Sequence, residues 1–249
     1  MEMIMERLAL DWLYWKMINM KKIAILQSSY IPWKGYFDLI NSVDEFILYD
    51  DMQYTKRDWR NRNKIQTQQG LKWMSIPVEV KGKYFQKISE TKISEKDWAK
   101  KHWQQIKQNY SKAPYFKEYK DVFEEMYLTC SEEYLSQINY KFIVAICKIL
   151  GITTNIRWSN EFKLIDGQTE KLLSICKDCD AGVYISGPSA KDYLDENIFM
   201  QNNIKVEWMN YSNYPEYQQV FEPFEHGVTI LDLIFNKGEN ATKFMKSFN

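Results

Sequence analysis

Histidine occurs twice and cysteine four times in 249 residues, and 33 basic side chains face 33 acidic ones. Each scarcity removes a class of protein. Four thiols are too few for a disulfide scaffold in a chain this long, and with no secretory signal they read as cytosolic thiols. Cys176 and Cys179 form a CxxC inside an apolar helical pattern, but no second CxxC or nearby histidine completes a zinc set. Core packing outweighs metal or redox chemistry there. His102 and His226 make no HxxxH pair and no Ser-His-Asp or Cys-His spacing, so no histidine-based metal site is expected. A formal net charge of zero offers no global field to nucleic acid or an anionic membrane, so any anion site is a local patch. No apolar run approaches the roughly twenty residues of a membrane-spanning helix. Neither a fixed-period repeat nor a low-complexity tract is present.

The composition itself, 45% hydrophobic, 16% aromatic and 27% charged, describes a chain able to bury a sizeable core and rules out overall disorder. Residues 1–19 carry Asp11 within their short apolar part and no small-residue cleavage pattern, so they fit neither a signal peptide nor an anchor. They read as an extension, with Met17 or Met20 as a candidate initiator, or as an amphipathic helix presenting Leu8, Trp12 and Trp15. Residues 20–249 read as a single α/β domain. An apolar run at 23–27, a loop, a helical pattern of Tyr36, Leu39, Ile40 and Val43, and a second run at 46–49 make a βαβ unit of a parallel sheet.

Residues 51–95 interrupt the alternation with a hairpin, Lys64–Thr67 and Lys72–Val80 around a Gln-Gln-Gly turn, expected near the sheet's edge. A helical insertion of about 95–150 follows. Its Asp97–Tyr110 face carries Trp98, His102, Trp103 and Ile106, and its Glu133–Leu150 helix stops at Gly151. Strand and helix then alternate again: strands at 155–158, 183–186 and 204–209, helices at 168–179 and 228–235. The expected fold class is a Rossmann-like parallel sheet with a β-hairpin insertion and a helical middle segment.

In an open α/β sheet, ligands bind beyond the carboxyl ends of the strands. The first such loop offers Tyr30, Trp33, Lys34 and Gly35, the last two at a helix start where free N–H groups favour an anion; a plain helix start is an equal reading. The second packs four cations into the seven residues from Lys56 to Arg62. Arg57, Arg60 and Arg62 suit bidentate contacts to phosphate or carboxylate, Tyr54 and Trp59 suit stacking, and Asn61 adds an amide. A solvated charged loop is the competing reading. Asp50 and Asp51 are candidate bases or Mg²⁺ ligands beside the commoner role of turn acids, and His102 is a second candidate base. The third loop supplies Ser186, Gly187, Ser189 and Lys191, a composition suited to phosphate. It has neither P-loop nor GxGxxG spacing, so no cofactor is identified.

The segment QSSYIPWKGYFDLINSVDEFILYDDMQYTKRDWRNRNKI resembles the opening of the WbqC-like proteins, and WAKKHWQQIKQNYSKAPYF, YISGPSAKDYLDENIF and ILDLIFNKG extend the resemblance over about residues 21–238. Members of that family are typically encoded among bacterial genes for O-antigen and other surface polysaccharides, which implies a cytoplasmic step on a sugar precursor. Trp33-Lys34-Gly35-Tyr36 also sits where nucleotidylyltransferase-like enzymes, pantothenate synthetase among them, carry HxGH, though both histidines are missing. ISGPSAKDYL resembles the late serine loop of those enzymes.

The expected function is a cytosolic transferase acting on a nucleotide-activated sugar, with acyl or aminoacyl transfer to a sugar amine as one form of it. An ATP-dependent ligase or nucleotidyltransferase-like enzyme and a non-catalytic scaffold subunit contacting polysaccharide-pathway enzymes are the alternatives. Nucleic acid is not an expected partner, because one basic loop in a neutral chain is a small electrostatic footprint.

Overall fold

A computed structural model describes residues 20–248; the extension at 1–19, with its candidate amphipathic face, lies outside the described residues. Along the chain come β1 (Lys22–Leu26), α1 (Lys34–Asn41), β2 (Glu45–Leu48), β3 (Arg62–Thr67) and β4 (Gly70–Ser75). Three helices follow, α2 (Trp98–Tyr110), α3 (Phe116–Leu128) and α4 (Leu135–Leu150). The remainder is β5 (Asn155–Trp158), α5 (Gln168–Asp178), β6 (Val183–Ser186), α6 (Glu196–Gln201), β7 (Lys205–Trp208) and α7 (Ile230–Lys237).

Five strands form one parallel sheet in the order β5-β2-β1-β6-β7. Numbered within that sheet alone, the order is 3-2-1-4-5, a doubly wound arrangement whose direction reverses between β1 and β6. β1 is central because its side chains are apolar on both faces, and a strand that must be covered twice belongs between helices. Alternation then sorts residues into two cores. Ala24, Phe46, Leu48, Val183 and Ile185 join the side packed by α1, α2, α3, α4 and α7. Ile23, Ile25, Ile47 and Tyr184 face α5 and α6.

The expected hairpin forms, β3 and β4 making a separate antiparallel sheet. Their inner residues Ile65 and Met74 are buried in the helix-rich core, and the Tyr110 hydroxyl of α2 accepts from the Gln66 N–H at 3.2 Å. β4 ends at Ser75 rather than running to Val80. Pro77 has no N–H for a ladder, and the Ile76 N–H goes to the Asn61 carbonyl.

The helical middle follows its periodicity closely. α4 ends at Gly151 with φ +72°, the left-handed conformation that a Cβ disfavours, and the Ile152 N–H closes onto Cys147 O at 2.9 Å. Between α2, α3 and α4 lies an aromatic cluster. Phe142 meets Tyr127 edge-on at 4.8 Å and Tyr30 at 5.9 Å, all three fully buried. At the other end, the Asp38 carboxylate of α1 accepts from the Lys246 and Ser247 N–H groups at 2.8 and 3.0 Å, tying the chain's end to the first helix. Among the described residues, no helix is long and apolar enough to cross a membrane.

Because Phe142 joins α4 to the aromatic cluster, Phe142→Ala is expected to destabilise the protein by about 3–5 kcal/mol. Urea denaturation of the two proteins measures this; a loss under about 1 kcal/mol contradicts the packing described.

Candidate functional site

A cavity of about 610 Å³ opens at the carboxyl ends of β1 and β6, where the sheet reverses direction. Gln27, Ser29 and Trp33 follow β1; Ser186 ends β6, and Gly187, Pro188 and Ser189 follow it; Trp59, Arg60 and Asn63 come from the hairpin region. Tyr211, His226 and Gly227 close it from the irregular segment before α7. Arg60 and His226 are the ionisable nitrogen bases of this lining, and no carboxylate and no lysine belongs to it. Two tryptophans and five tyrosines do. The site is therefore biased towards an anionic ligand with a flat or apolar part.

The loop after β1 is held under backbone strain. Ile31, β-branched and fully buried, has φ +36°. Asn63 maintains it: its side-chain amide donates to Ile31 O at 2.8 Å and to Tyr30 O at 3.2 Å. Tyr30 N–H donates to Trp59 O, and Ile230 N–H to Pro32 O. The indole of Trp33 then lies over the head of α1, so close that a Cβ on Gly35 would stand 2.3 Å from it. Gly35 thus makes room for Trp33.

Lys34 turns away from the cavity. It is 3% exposed, and its ammonium donates to Pro215 O at 3.0 Å between the rings of Tyr214 and Tyr217. Burial brings its pKa down to about 8, with Asp38 and Asp232 opposing that shift.

The cationic loop divides. Arg60 points inward, donating to Ser28 O at 3.2 Å with its Nε 3.6 Å from Asp58. Lys56 and Arg57 are exposed, and the Arg62 guanidinium donates to Arg57 O while lying 4.0 Å from the Trp73 ring centre. Asn61 donates to Ile76 O, and buried Tyr54 donates its N–H to Gln86 O. Lys191 sits 5.4 Å over the Trp208 ring. None of these six, Lys56, Arg57, Arg62, Asn61, Tyr54 or Lys191, lines the cavity.

The candidate bases Asp50, Asp51 and His102 also stand apart from the lining. The Asp50 carboxylate accepts from the Ser28 N–H at 2.8 Å and from the Ser136 hydroxyl. Burial pushes its pKa up, while Ser136, Ser28 and Arg60 pull it back. Asp51 accepts from Ser159 Oγ at 2.7 Å and pairs with Lys87 at 2.9 Å. His102 is buried in the aromatic cluster, and its Nδ1 lies 2.9 Å from the Tyr30 hydroxyl. Burial drives its pKa down to about 4. Tyr30, fully buried, also shares a 2.7 Å bond with Tyr127 and does not reach the cavity.

Of the residues singled out from sequence, Trp33, Trp59, Arg60, Ser186, Gly187 and Ser189 meet around one space. His226, Tyr211, Asn63 and Tyr193 join them without having been singled out. His226 Nδ1 is buried with no hydrogen-bond partner, and the ring meets Phe224 edge-on at 4.6 Å. Desolvation and the nearby Lys34 charge lower its pKa. The available signal was the pair His226-Gly227 in an irregular stretch, which without contacts is indistinguishable from any loop histidine. The buried thiols of Cys176 and Cys179 carry raised pKa values, through burial first. Among the described residues, no group of three His, Cys, Asp or Glu side chains could hold a metal ion.

A doubly wound α/β sheet with an aromatic, acid-free cavity at its reversal point defines a Rossmann-like protein with a candidate small-molecule site. The chain belongs to the WbqC-like protein family, whose model matches residues 27–244. An uncharacterized protein of Mycobacterium tuberculosis (strain ATCC 25618 / H37Rv), Rv1507c, is 51% identical over 227 residues, covering 91% of this chain and 98% of its own. No solved structure matches the chain.

Since the fold keeps His102 neutral, the unfolded chain binds more protons between pH 6.5 and about 4, and acidification through that window favours unfolding. Relative to His102→Gln, the wild-type protein is expected to lose about 3 kcal/mol on going from pH 7 to pH 4. Urea denaturation of both proteins across that range checks it; parallel pH curves contradict the assignment.

Proposed function

We propose that the chain is a cytoplasmic transferase that binds a nucleotide-activated sugar in the switch-point cavity, acting in bacterial surface polysaccharide synthesis. The observation that carries this reading is a lining with one arginine, no carboxylate and seven aromatic rings. A nucleoside diphosphate presents the complementary chemistry, two phosphates and a flat base. Membership in the WbqC-like family supports the pathway.

In this reading Arg60 takes the diphosphate from below, and Ser186, Ser189 and the Gly187 backbone approach the phosphate oxygens from the β6 side. Trp33 and Trp59 flank the base or sugar. His226, whose pKa desolvation and the Lys34 charge lower, accepts a proton from the attacking group; in the acyl or aminoacyl form a sugar amine attacks the donor's carbonyl, the bond to the donor's carrier breaks, and the carrier leaves with that proton. Asp50 supports this machinery by fixing the loop that Arg60 contacts.

Gly187 gives a clean test. Its φ is an ordinary −70°, and the nearest atom to a Cβ placed there is the Tyr211 hydroxyl at 3.9 Å. Gly187→Leu therefore fills the cavity without straining the backbone. A UDP-sugar at about 100 times its dissociation constant stabilises the wild-type protein by roughly 2.7 kcal/mol. This thermal shift is expected to vanish in Gly187→Leu, whose unliganded Tm stays close to wild type, and to shrink in Arg60→Gln relative to that variant's own unliganded Tm. Stabilisation by ATP alone would replace the sugar nucleotide with the ligase reading, and no shift with either would leave the scaffold reading. Once turnover is measured, His226→Gln is expected to lower kcat by about 10²–10⁴-fold.

A further inference from the structure

The outer face of the hairpin carries the cations Arg62 and Lys64, which lie over indole rings rather than in ion pairs. β3 and β4 alternate, so Asn63, Ile65 and Met74 enter the core while Arg62, Lys64, Leu71 and Trp73 share the opposite face. Lys64 pairs directly across the ladder from Trp73, and its ammonium lies 5.6 Å from the Trp73 ring centre and 5.7 Å from that of Trp59. The two indoles are 5.1 Å apart and remain 42% (Trp59) and 41% (Trp73) exposed.

Among the described residues, Lys56, Arg57, Arg62 and Lys64 form no ion pair, whereas Lys83, Lys87, Lys101 and Lys107 each have a carboxylate. The loop's own Asp58 is taken up by Thr55 Oγ1, the Trp59 N–H and Arg60. This ledge adjoins the cavity. Trp59 belongs to both, and a Cβ on the cavity-lining Gly227 would stand 3.7 Å from Lys64 Nζ. Glu225 is the acid at that lip, and its carboxylate accepts the Gly227 N–H at 2.7 Å.

We propose, resting on the nucleotide reading of the inner cavity, that this ledge is the docking site for the second substrate, a sugar bearing a phosphate or carboxylate. The exposed indoles offer apolar surface to the C–H face of a sugar ring, and Lys64 and Arg62 supply the counter-charge for its anionic group. Trp59 stands between the two ligands, so the second sugar enters over the lip and meets the first at the cavity mouth. Arg62 stacks on Trp73 to hold this platform rather than reaching the inner diphosphate.

Calorimetric titration with glucose 1-phosphate, glucuronate, inorganic phosphate and glucose tests the assignment, the first two distinguishing phosphate from carboxylate. At least one of the two anionic sugars binds the wild-type protein, about tenfold tighter than glucose or inorganic phosphate. Its affinity falls about tenfold in an Arg62→Gln, Lys64→Gln double variant and stays within about twofold in Gly187→Leu, which closes only the inner cavity. Should the double variant not fold, exposed Lys56→Gln with Arg57→Gln is expected to weaken binding in the same direction, more at low salt than at high salt. No binding of either anionic sugar, unchanged affinity in the charge variants, or loss in Gly187→Leu each overturns the ledge. Failure of the UDP-sugar thermal shift alone overturns the inner-cavity reading, because binding at the ledge is measured without nucleotide.

Discussion

The buried carboxylate of Asp50 is the interaction on which the site depends. It lies just past the end of β2, holds the Ser28 N–H that opens the loop after β1, and accepts the Ser136 hydroxyl from α4. Around it, the Asn139 amide donates to Ser28 Oγ and to Arg60 O, both at 2.9 Å, and the Arg60 guanidinium returns to Ser28 O. Two strand ends, the helical middle and the hairpin region therefore meet at one polar knot. An isolated carboxylate there would be costly to desolvate, and the hydrogen bonds that offset this cost also set the direction of Arg60. The cation of the cavity is positioned by an anion that never faces it.

Asp232 does for the irregular segment what Asp50 does for the loops. Its oxygens accept from Tyr110 at 2.9 Å, Tyr217 at 2.8 Å and Gln219 at 2.8 Å, joining α2, α7 and the stretch before α7. Lys34 holds the same stretch through Pro215 O. Without regular secondary structure, that stretch has few ladder bonds of its own, so side-chain hydrogen bonds must fix its path. The result delivers Tyr211, His226 and Gly227 to the cavity wall. Lys34, which sequence reading placed only as a helix-start cation, and Asp232 thus fix the segment that carries Tyr211, His226 and Gly227 to the cavity wall.

The cationic loop shows how far charge pattern alone can be read. Four cations within seven residues do mark a surface of interest, but they do not act as a unit. Arg60 is drawn under the cavity by Ser28 and Asp58, Arg62 stacks outward on Trp73, and Lys56 and Arg57 stay in solvent. Trp73 and Trp59 come together only because β4 folds back on β3. Likewise, the two histidines exchange prominence. His102 lies on the face that its helix must bury, whereas His226 sits in a loop that long-range bonds carry to the cavity.

By itself, the sequence determined the parallel βαβ framework, the hairpin, the helical middle and the stop of α4 at Gly151. These follow from local periodicity and backbone preference, which are written in neighbouring residues. It also marked Trp33, Trp59, Arg60, Ser186, Gly187 and Ser189, since loops at strand ends converge once the sheet is parallel. Tertiary structure alone decided that the hairpin forms its own sheet and that Asp50 and His102 are buried outside the cavity lining. It alone brought His226 to the cavity and turned Lys34 away. Those outcomes depend on which buried polar groups find partners across distant segments, and such pairing is a property of the assembled interior that no local pattern encodes.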